Sequence, residues 1–448
     1  MFNLMTKDLT EGKPLTLILG FSLPLLGGYV FQQFYNVVDT VIVGRFLGKE
    51  SLAALGATGS VNFLIIGFCM GICSGFSIPI AQKYGAKDYK TMRQMVASTI
   101  HLGVFFSIVV TTLTLLFCRP LLRLMLTPEN IIGPASDYIS IIFAGIPVVF
   151  LYNILAGILR SLGDSKTPLI FLIISSVLNI FLDLLFILVF NFGVKGAAIA
   201  TVLSQGVSGI LCLIYMHKNF EILRLRKDDR KIRTNHLLVL CANGVPMGLQ
   251  YSITAIGSVI LQTSVNSLGS DVVAAVAAAQ KINIFFCCPF DALGTTMATW
   301  GGQNLGARKL ERLKSGLYAC CFLGFIYSIL GFLIMFLFGD TLGLLFVSSS
   351  EVEILEDIRL FLVIVSSFYF LLALVNIVRF LIQGMGFSSL AIMSGVLEMI
   401  ARTVTGVFVV TTFGYLGVCF ASPFAWLLAD CFLIPAFIWC YKKLQKEW

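Results

Sequence analysis

Two aspartates sit where chemistry is least expected. Asp39 lies in the run Phe34-Tyr35-Asn36-Val37-Val38-Asp39-Thr40, and Asp183 follows Asn179 by four residues in an otherwise apolar stretch. Residues three and four apart share a helix face, so Tyr35 and Asn36 are expected beside Asp39, and Asn179 beside Asp183. Thr201 and Asn153, in runs of their own, offer further neutral oxygens. A carboxylate near a bilayer centre costs about 2.5–3.5 kcal/mol on insertion scales, which makes such residues candidates for function rather than packing. If the faces converge, one chamber holds two acids that resist being ionised together, through desolvation and mutual repulsion. Such a site suits uptake of a proton or sodium ion on one side and its release on the other.

The second half of the chain supplies a different set. Gln250, Lys281, Asp291, Asn376, Arg379, Gln383, Glu398 and Arg402 are candidates to line a substrate cavity. Glu398 and Arg402 are four apart and are expected to pair along one helix. The three histidines, His101, His217 and His236, are scattered, so no metal cluster is expected beyond a sodium ion at the acidic site, and no cofactor. The chain carries no Gly-x-x-x-x-Gly-Lys loop, His-Glu-x-x-His or Gly-x-Ser-x-Gly, which argues against an enzyme and against direct drive by ATP.

The elements that must position these residues are apolar helices. Of 448 residues 58% are hydrophobic and 12% charged, with a mean hydropathy of +0.94; soluble domains carry about 25% charge. A crossing helix needs about 20 apolar residues. Runs of that kind are Leu15 to Val43, Leu52 to Ile80, Met95 to Cys118, Ile139 to Leu159, Pro168 to Phe190 and Val194 to Met216. Six more follow: Leu237 to Val265, Val272 to Thr299, Gly316 to Phe338, Ile358 to Ile382, Leu390 to Thr412 and Leu416 to Trp439. They are too long and too continuous for barrel strands. The expectation is an all-α membrane protein of about 12 transmembrane helices. The first run is too long for a signal h-region and is expected to remain as a helix. The 12 cysteines lie in or beside these runs at spacings that match no zinc or redox motif, and read as packing residues.

Charge sets the orientation. Of 31 Lys and Arg, 22 lie in the N-terminus, the even-numbered connections and the C-terminus, against six in the odd-numbered connections. The positive-inside rule then places both termini in the cytoplasm, in a cell inner (plasma) membrane. The basic excess is spread over loops at one face, so nucleic acid is not an expected partner.

The chain also repeats. Gln82-Lys83-Tyr84-Gly85-Ala86-Lys87 parallels Gln303-Asn304-Leu305-Gly306-Ala307-Arg308, and Ser175-Ser176-Val177-Leu178-Asn179 parallels Ser394-Gly395-Val396-Leu397-Glu398. Pro24 with Pro246, Gly48 with Gly269, Asn153 with Asn376, and Gly193 and Gly196 with Gly414 and Gly417 keep nearly the same offset. Two six-helix lobes of parallel orientation are expected: 1–222 (helices 1–6) and 237–448 (helices 7–12), joined by a cytoplasmic linker 223–236. Repeat-built transporters place their sites near the midplane at repeat interfaces. The repeat is imperfect at the acids: Asp39 aligns with Ile260, Asn179 with Glu398, Asp183 with Arg402 and Thr201 with Ser422.

Together these features resemble the multidrug and toxic compound extrusion (MATE) family over nearly the whole chain. The resemblance rests on the two six-helix halves, on Pro24 followed by Gln32-Gln33 and Tyr35-Asn36-Val37-Val38-Asp39-Thr40, and on the Gly-Ala-Lys/Arg loops. Asn179-x-x-x-Asp183 with Thr201 is similar to the cation site of the DinF-like branch. That resemblance implies binding of H⁺ or Na⁺ by Asp39, Asn179, Asp183 and Thr201, with Tyr35 and Asn153 as further carry-overs. It also implies export, by a monomer in membrane lipid, of small organic cations or other amphipathic drugs. The NorM-like branch places acids in helices 7 and 10; here helix 7 has Gln250, and Phe361 to Gln383 contains no Asp or Glu. The alternative reading is a flippase for lipid-linked oligosaccharide or another lipid precursor, with Lys281, Arg379 and Arg402 as phosphate ligands.

Overall fold

In lipid the backbone must satisfy its own hydrogen bonds, and for runs this apolar the helix is the available solution. The computed structural model describes residues 7–125 and 127–447. Ten of its helices are long and apolar enough to cross a membrane, and two bent pairs raise the number to 12. In chain order they are α1 (Pro14–Gly48), α2 (Glu50–Gly85), α3 (Tyr89–Leu124), α4 (Glu129–Ala144 and Ile146–Ser161), α5 (Lys166–Val189) and α6 (Val194–Asn219). Then follow α7 (Thr234–Asn266), α8 (Ser270–Gly306), α9 (Leu310–Gly343), α10 (Val352–Ser367 and Tyr369–Gly384), α11 (Ser388–Phe413) and α12 (Tyr415–Glu447). The helices outrun the apolar runs at their ends because polar turns continue beyond the hydrocarbon. α1 passes through Pro24 unbroken; Gly48 is where the helical dihedrals fail.

The internal repeat is written in the backbone. α4 bends by 44° and α10 by 49° at corresponding places. Wide π-turns end α5 at Leu185–Val189 and interrupt α11 at Thr405–Val409. Gly193 (φ 59°, ψ −141°) and Gly414 (φ 58°, ψ −130°) precede α6 and α12. Only glycine enters that region without a Cβ clash, so the two positions keep glycine in both copies. Lys87 and Arg308, which close the Gly-Ala-Lys/Arg loops, share a left-handed φ of 56° and 57°.

Packing groups the helices into two compact units that do not follow chain order. One contains Gly27–Ser252 with Lys7 and Asp8; the other contains Leu9–Leu26 with Ile253–Trp448. The first half of α7 thus belongs with α2–α6, and the first half of α1 with α8–α12.

Within the first unit, two small-residue faces explain the placement of α7. Gly71 and Gly75 on α2 meet Gly244 and Gly248 on α7. A Cβ on Gly71 would lie 2.6 Å from the Met247 carbonyl oxygen, and one on Gly75 would lie 2.5 Å from the Gly244 Cα. Backbones that close gain dispersion contact where no hydrophobic driving force exists between helices. Ser252 Oγ also donates to the Leu64 carbonyl at 3.3 Å.

The connection before α7 is docked on the same unit. Arg93 Nε donates to Asp229 Oδ2 at 2.9 Å, and the Arg226 N–H donates to the same oxygen at 3.0 Å. Burial pushes the Asp229 carboxyl up, but these donors more than offset it and hold it below the ordinary carboxylate value. A depressed carboxylate stabilises the fold above its unfolded value, and that contribution is lost as pH falls through the folded one. Asp229→Asn is therefore expected to lower stability by about 1 kcal/mol at neutral pH. The deficit should vanish on acidification, as read by thermal melts of wild type and variant across a pH series.

In the second unit the segment ahead of α1 is held by the second copy of the loop motif. The Leu9 N–H donates to Gln303 Oε1 at 3.0 Å, and Leu9 O accepts from Asn304 Nδ2 and Arg312 Nη2 at 3.2 and 3.0 Å. Lys309 Nζ donates to Thr10 O at 2.9 Å.

Candidate functional site

In the first unit, α1 and α5 present their acids to one another. The Asp39 and Asp183 carboxyl groups come within interaction range. Asp39 is 8% exposed and Asp183 fully buried. The Tyr35 hydroxyl, one turn before Asp39, reaches Thr201 of α6 and lies in the field of both acids. Asn179, one turn before Asp183, is buried as well. Tyr138 of α4 faces Asp39, Asp183 and Tyr35.

The polar atoms here are left without protein partners. Apart from the approach of the two carboxyls to one another, the buried Asp39 Oδ1, both Asp183 oxygens, and Oδ1 and Nδ2 of Asn179 have no hydrogen-bond partner among the described residues. A buried ionised carboxylate without a partner costs several kcal/mol. Two acids lined by phenols, an amide and a hydroxyl, with no Lys or Arg among these neighbours, could hold a cation. The donor set is oxygen-rich, which fits a proton shared between the acids or a hard monovalent ion, and does not fit a soft metal.

Of the residues expected at this site, the structure brings together Tyr35, Asp39, Asp183 and Thr201, with Asn179 adjoining. Asn153 Nδ2 donates to Val149 O at 2.8 Å, one turn back on its own helix. Asn36 is exposed and bonds Gln33 Oε1 at 3.5 Å rather than facing Asp39. Tyr138 carried no sequence signal, since an aromatic residue in an apolar run is ordinary until packing aims its hydroxyl.

The second unit holds a polar network of its own. Arg379 Nη1 donates to Glu398 Oε1 at 2.7 Å, and Arg379 Nη2 donates to Asn376 Oδ1 at 2.8 Å. Asn376 Nδ2 donates to Asp291 Oδ1 at 3.4 Å. Arg402 Nη2 lies 3.6 Å from Glu398 Oε2, the pairing expected along α11, and Nη1 also reaches Thr254 O. Where the first unit has an amide and an acid at repeat-related positions, this unit thus has a carboxylate clasped by two guanidinium groups. Asp291 is exposed to solvent on α8, and Gln383 is buried on α10. Lys281 is exposed on α8, while Gln250 is buried in the first unit on α7. Asp430 of α12 was not singled out from the sequence, and it lies 3% exposed beside Arg379 and Glu398. As a lone acid in the run Leu416 to Trp439, it met the same insertion-cost criterion that marked Asp39 and Asp183.

Known proteins agree with this architecture. The MatE family profile matches residues 24–185 and 246–423. The probable multidrug resistance protein YoeA of Bacillus subtilis is 32% identical over 338 residues, 74% of this chain and 73% of that protein. The probable multidrug resistance protein YpnP of the same organism is 33% identical over 310 residues, 68% of each. A crystal structure of a MATE protein in complex with MaL6 superposes with a TM-score of 0.90 at 25% identity, covering 98% of both chains. Two repeated sets of six spans, with a buried acid pair in the first unit and a family match extending across both halves, identify this chain as a multi-pass membrane transporter of the MATE family.

Proposed function

We propose that this protein exports amphipathic organic compounds, organic cations foremost, in exchange for H⁺ or Na⁺ taken up at Asp39 and Asp183, by alternating access. The observation that carries this reading is the buried acid pair with no basic partner among the described residues. When the inward gradient drives a cation onto the pair, the charge is neutralised and the chamber tolerates dehydration. When the cation leaves, the exposed charge favours a hydrated, open chamber or a cationic drug in its place. That is differential affinity for two states, which is what coupling requires. Tyr35, Thr201 and Tyr138 position the acids and supply hydroxyl oxygens; Asn179 supplies an amide oxygen. The relatives' names, both multidrug resistance proteins, support small-molecule drugs as cargo. The basic excess at alternate connections supports cytoplasmic termini in the plasma membrane. We take the unit of function to be the monomer.

Lipid-precursor flipping finds less support. It would use Lys281, Arg379 and Arg402 to grip phosphate, and the two arginines already serve Glu398.

The test is drug efflux from proteoliposomes under separately imposed proton and sodium gradients. One of the two gradients should drive export, and Asp39→Asn should remove that drive while leaving drug binding in detergent measurable. Equal efflux with neither gradient imposed, or unchanged drive in Asp39→Asn, would refute coupling through this pair.

A further inference from the structure

The network in the second unit does not balance its charge. Asp291, Glu398 and Asp430 are three acids set against two guanidinium groups, Arg379 and Arg402. Glu398 is held by both arginines, and Asp291 accepts from Asn376 where solvent reaches it. Asp430 is different. It is 3% exposed in the middle of α12, and neither carboxyl oxygen has a hydrogen-bond partner among the described residues. Arg379 is incomplete in the same way: Nη1 and Nη2 are bonded, but its buried Nε–H finds no acceptor among the described residues. Two unsatisfied groups of complementary kind thus lie within one network, close enough to feel each other's charge yet unbonded.

We propose that Asp430 is a proton site of the second unit, and that Arg379 exchanges between Glu398 and Asp430 as that proton comes and goes. With the proton on Asp430 the cluster is neutral, and Arg379 is free to hold Glu398 and Asn376 as seen here. When the proton leaves, a bare carboxylate in low dielectric draws the guanidinium toward it, and Glu398 is left to Arg402. The charged and titratable groups around Asp430 are Arg379 from α10, Glu398 from α11 and the Cys321 thiol from α9, and Arg402 of α11 joins through Glu398. These offer a guanidinium and a thiol where a sodium ion would need several neutral oxygens, so the occupant is a proton rather than a metal ion. The proposal stands apart from the Asp39–Asp183 site: it concerns other helices and a cluster that is half basic.

The first measurement uses infrared difference spectra of the purified full-length protein between acidic and alkaline buffer. Wild type should show the carbonyl stretch of a protonated carboxylic acid that is absent in Asp430→Asn and shifted in Asp430→Glu. The glutamate variant serves if the asparagine variant fails to fold. The absence of any such band assignable to Asp430 across the range where the protein transports would overturn the site. The second measurement is the proton-to-drug ratio from reversal potentials in proteoliposomes. It should fall by one in Asp430→Asn and keep the wild-type value in Asp430→Glu, with Asp183 still titrating in both. An unchanged ratio in Asp430→Asn would overturn the exchange. Failure of the Asp39–Asp183 reading would leave the infrared result standing, so the two proposals fail separately.

Discussion

Asp183→Asn should leave a well-folded protein that cannot export drug against a concentration gradient. The amide has the shape of the acid and keeps its oxygen, but it cannot bind a proton or present a full negative charge to an ion. Asp183 is fully buried, and its oxygens have no partner among the described residues other than the Asp39 carboxyl. The wild-type pair therefore sets two acids against each other in a dry site, and the substitution relieves that repulsion. Thermal stability should hold or rise, while coupling disappears. Coupling free energies are about 1–3 kcal/mol, so initial efflux under the driving gradient should fall about 5- to 150-fold. Downhill counterflow of drug, which needs no ion work, should survive better than uphill export. The measurement is efflux and counterflow on the same proteoliposome preparation, with a melting curve beside it. Full uphill export by a stably folded Asp183→Asn would remove Asp183 from the ion pathway.

The second large effect concerns the fold. Gly75→Leu should yield no monodisperse protein after detergent extraction, and Gly75→Ala should already melt lower than wild type. A Cβ at Gly75 would meet the Gly244 Cα at 2.5 Å and the Asn243 carbonyl oxygen at 2.6 Å, both of them backbone atoms. Neither can move aside by changing rotamer, so α2 and the first half of α7 must separate. Overpacking a tight site costs about 1–3 kcal/mol for a small increment, and a leucine asks for several times the volume. Separation also breaks the neighbouring contact of Gly71 with Gly248, whose Cα lies 2.8 Å from where a Gly71 Cβ would be. Gly59→Ala is the control, since nothing lies within 4 Å of a Cβ there. It should be neutral or gain the fraction of a kcal/mol that alanine brings to a helix. Fluorescence-detected gel filtration with a thermal challenge reads all three. A Gly75→Ala protein as robust as Gly59→Ala would mean that the close crossing of α2 and α7 does not hold the first unit together.

The glycine pairs show where the reading of a sequence stops. Gly71-x-x-x-Gly75 and Gly244-x-x-x-Gly248 are visible as spacings, yet glycines are common in membrane helices and each motif has many helices to meet. Which two faces come together depends on the packing of all the others. The same holds for the acids. Asp39 and Asp183 stood out because a charge in an apolar run is costly wherever the helix lies, but their meeting across α1 and α5 needed the helices to be rotated toward each other. Asn153, a neutral polar residue in an apolar run, donates instead to the Val149 carbonyl one turn back on its own helix. Asp430 satisfied the cost criterion too; only its neighbours, Arg379 and Glu398, give it a chemical context.

The number of spans, their all-helical character, the doubling at a nearly constant offset and the split between acids in one half and an acid–arginine set in the other were all determined by the sequence. These follow from local quantities: hydropathy, helix length, side-chain charge and the periodicity of glycine and proline. Tertiary structure decided the rest. It put the first halves of α1 and α7 in the unit opposite to the one their chain order implies. It added Tyr138 to the acid pair, and it left Asp430 and the Nε of Arg379 unsatisfied in one cluster. The physical reason is common to all three. Burial inside a helix is encoded by the residue itself, but a partner across a helix interface is fixed by which face each helix turns inward, and that is settled by every contact at once.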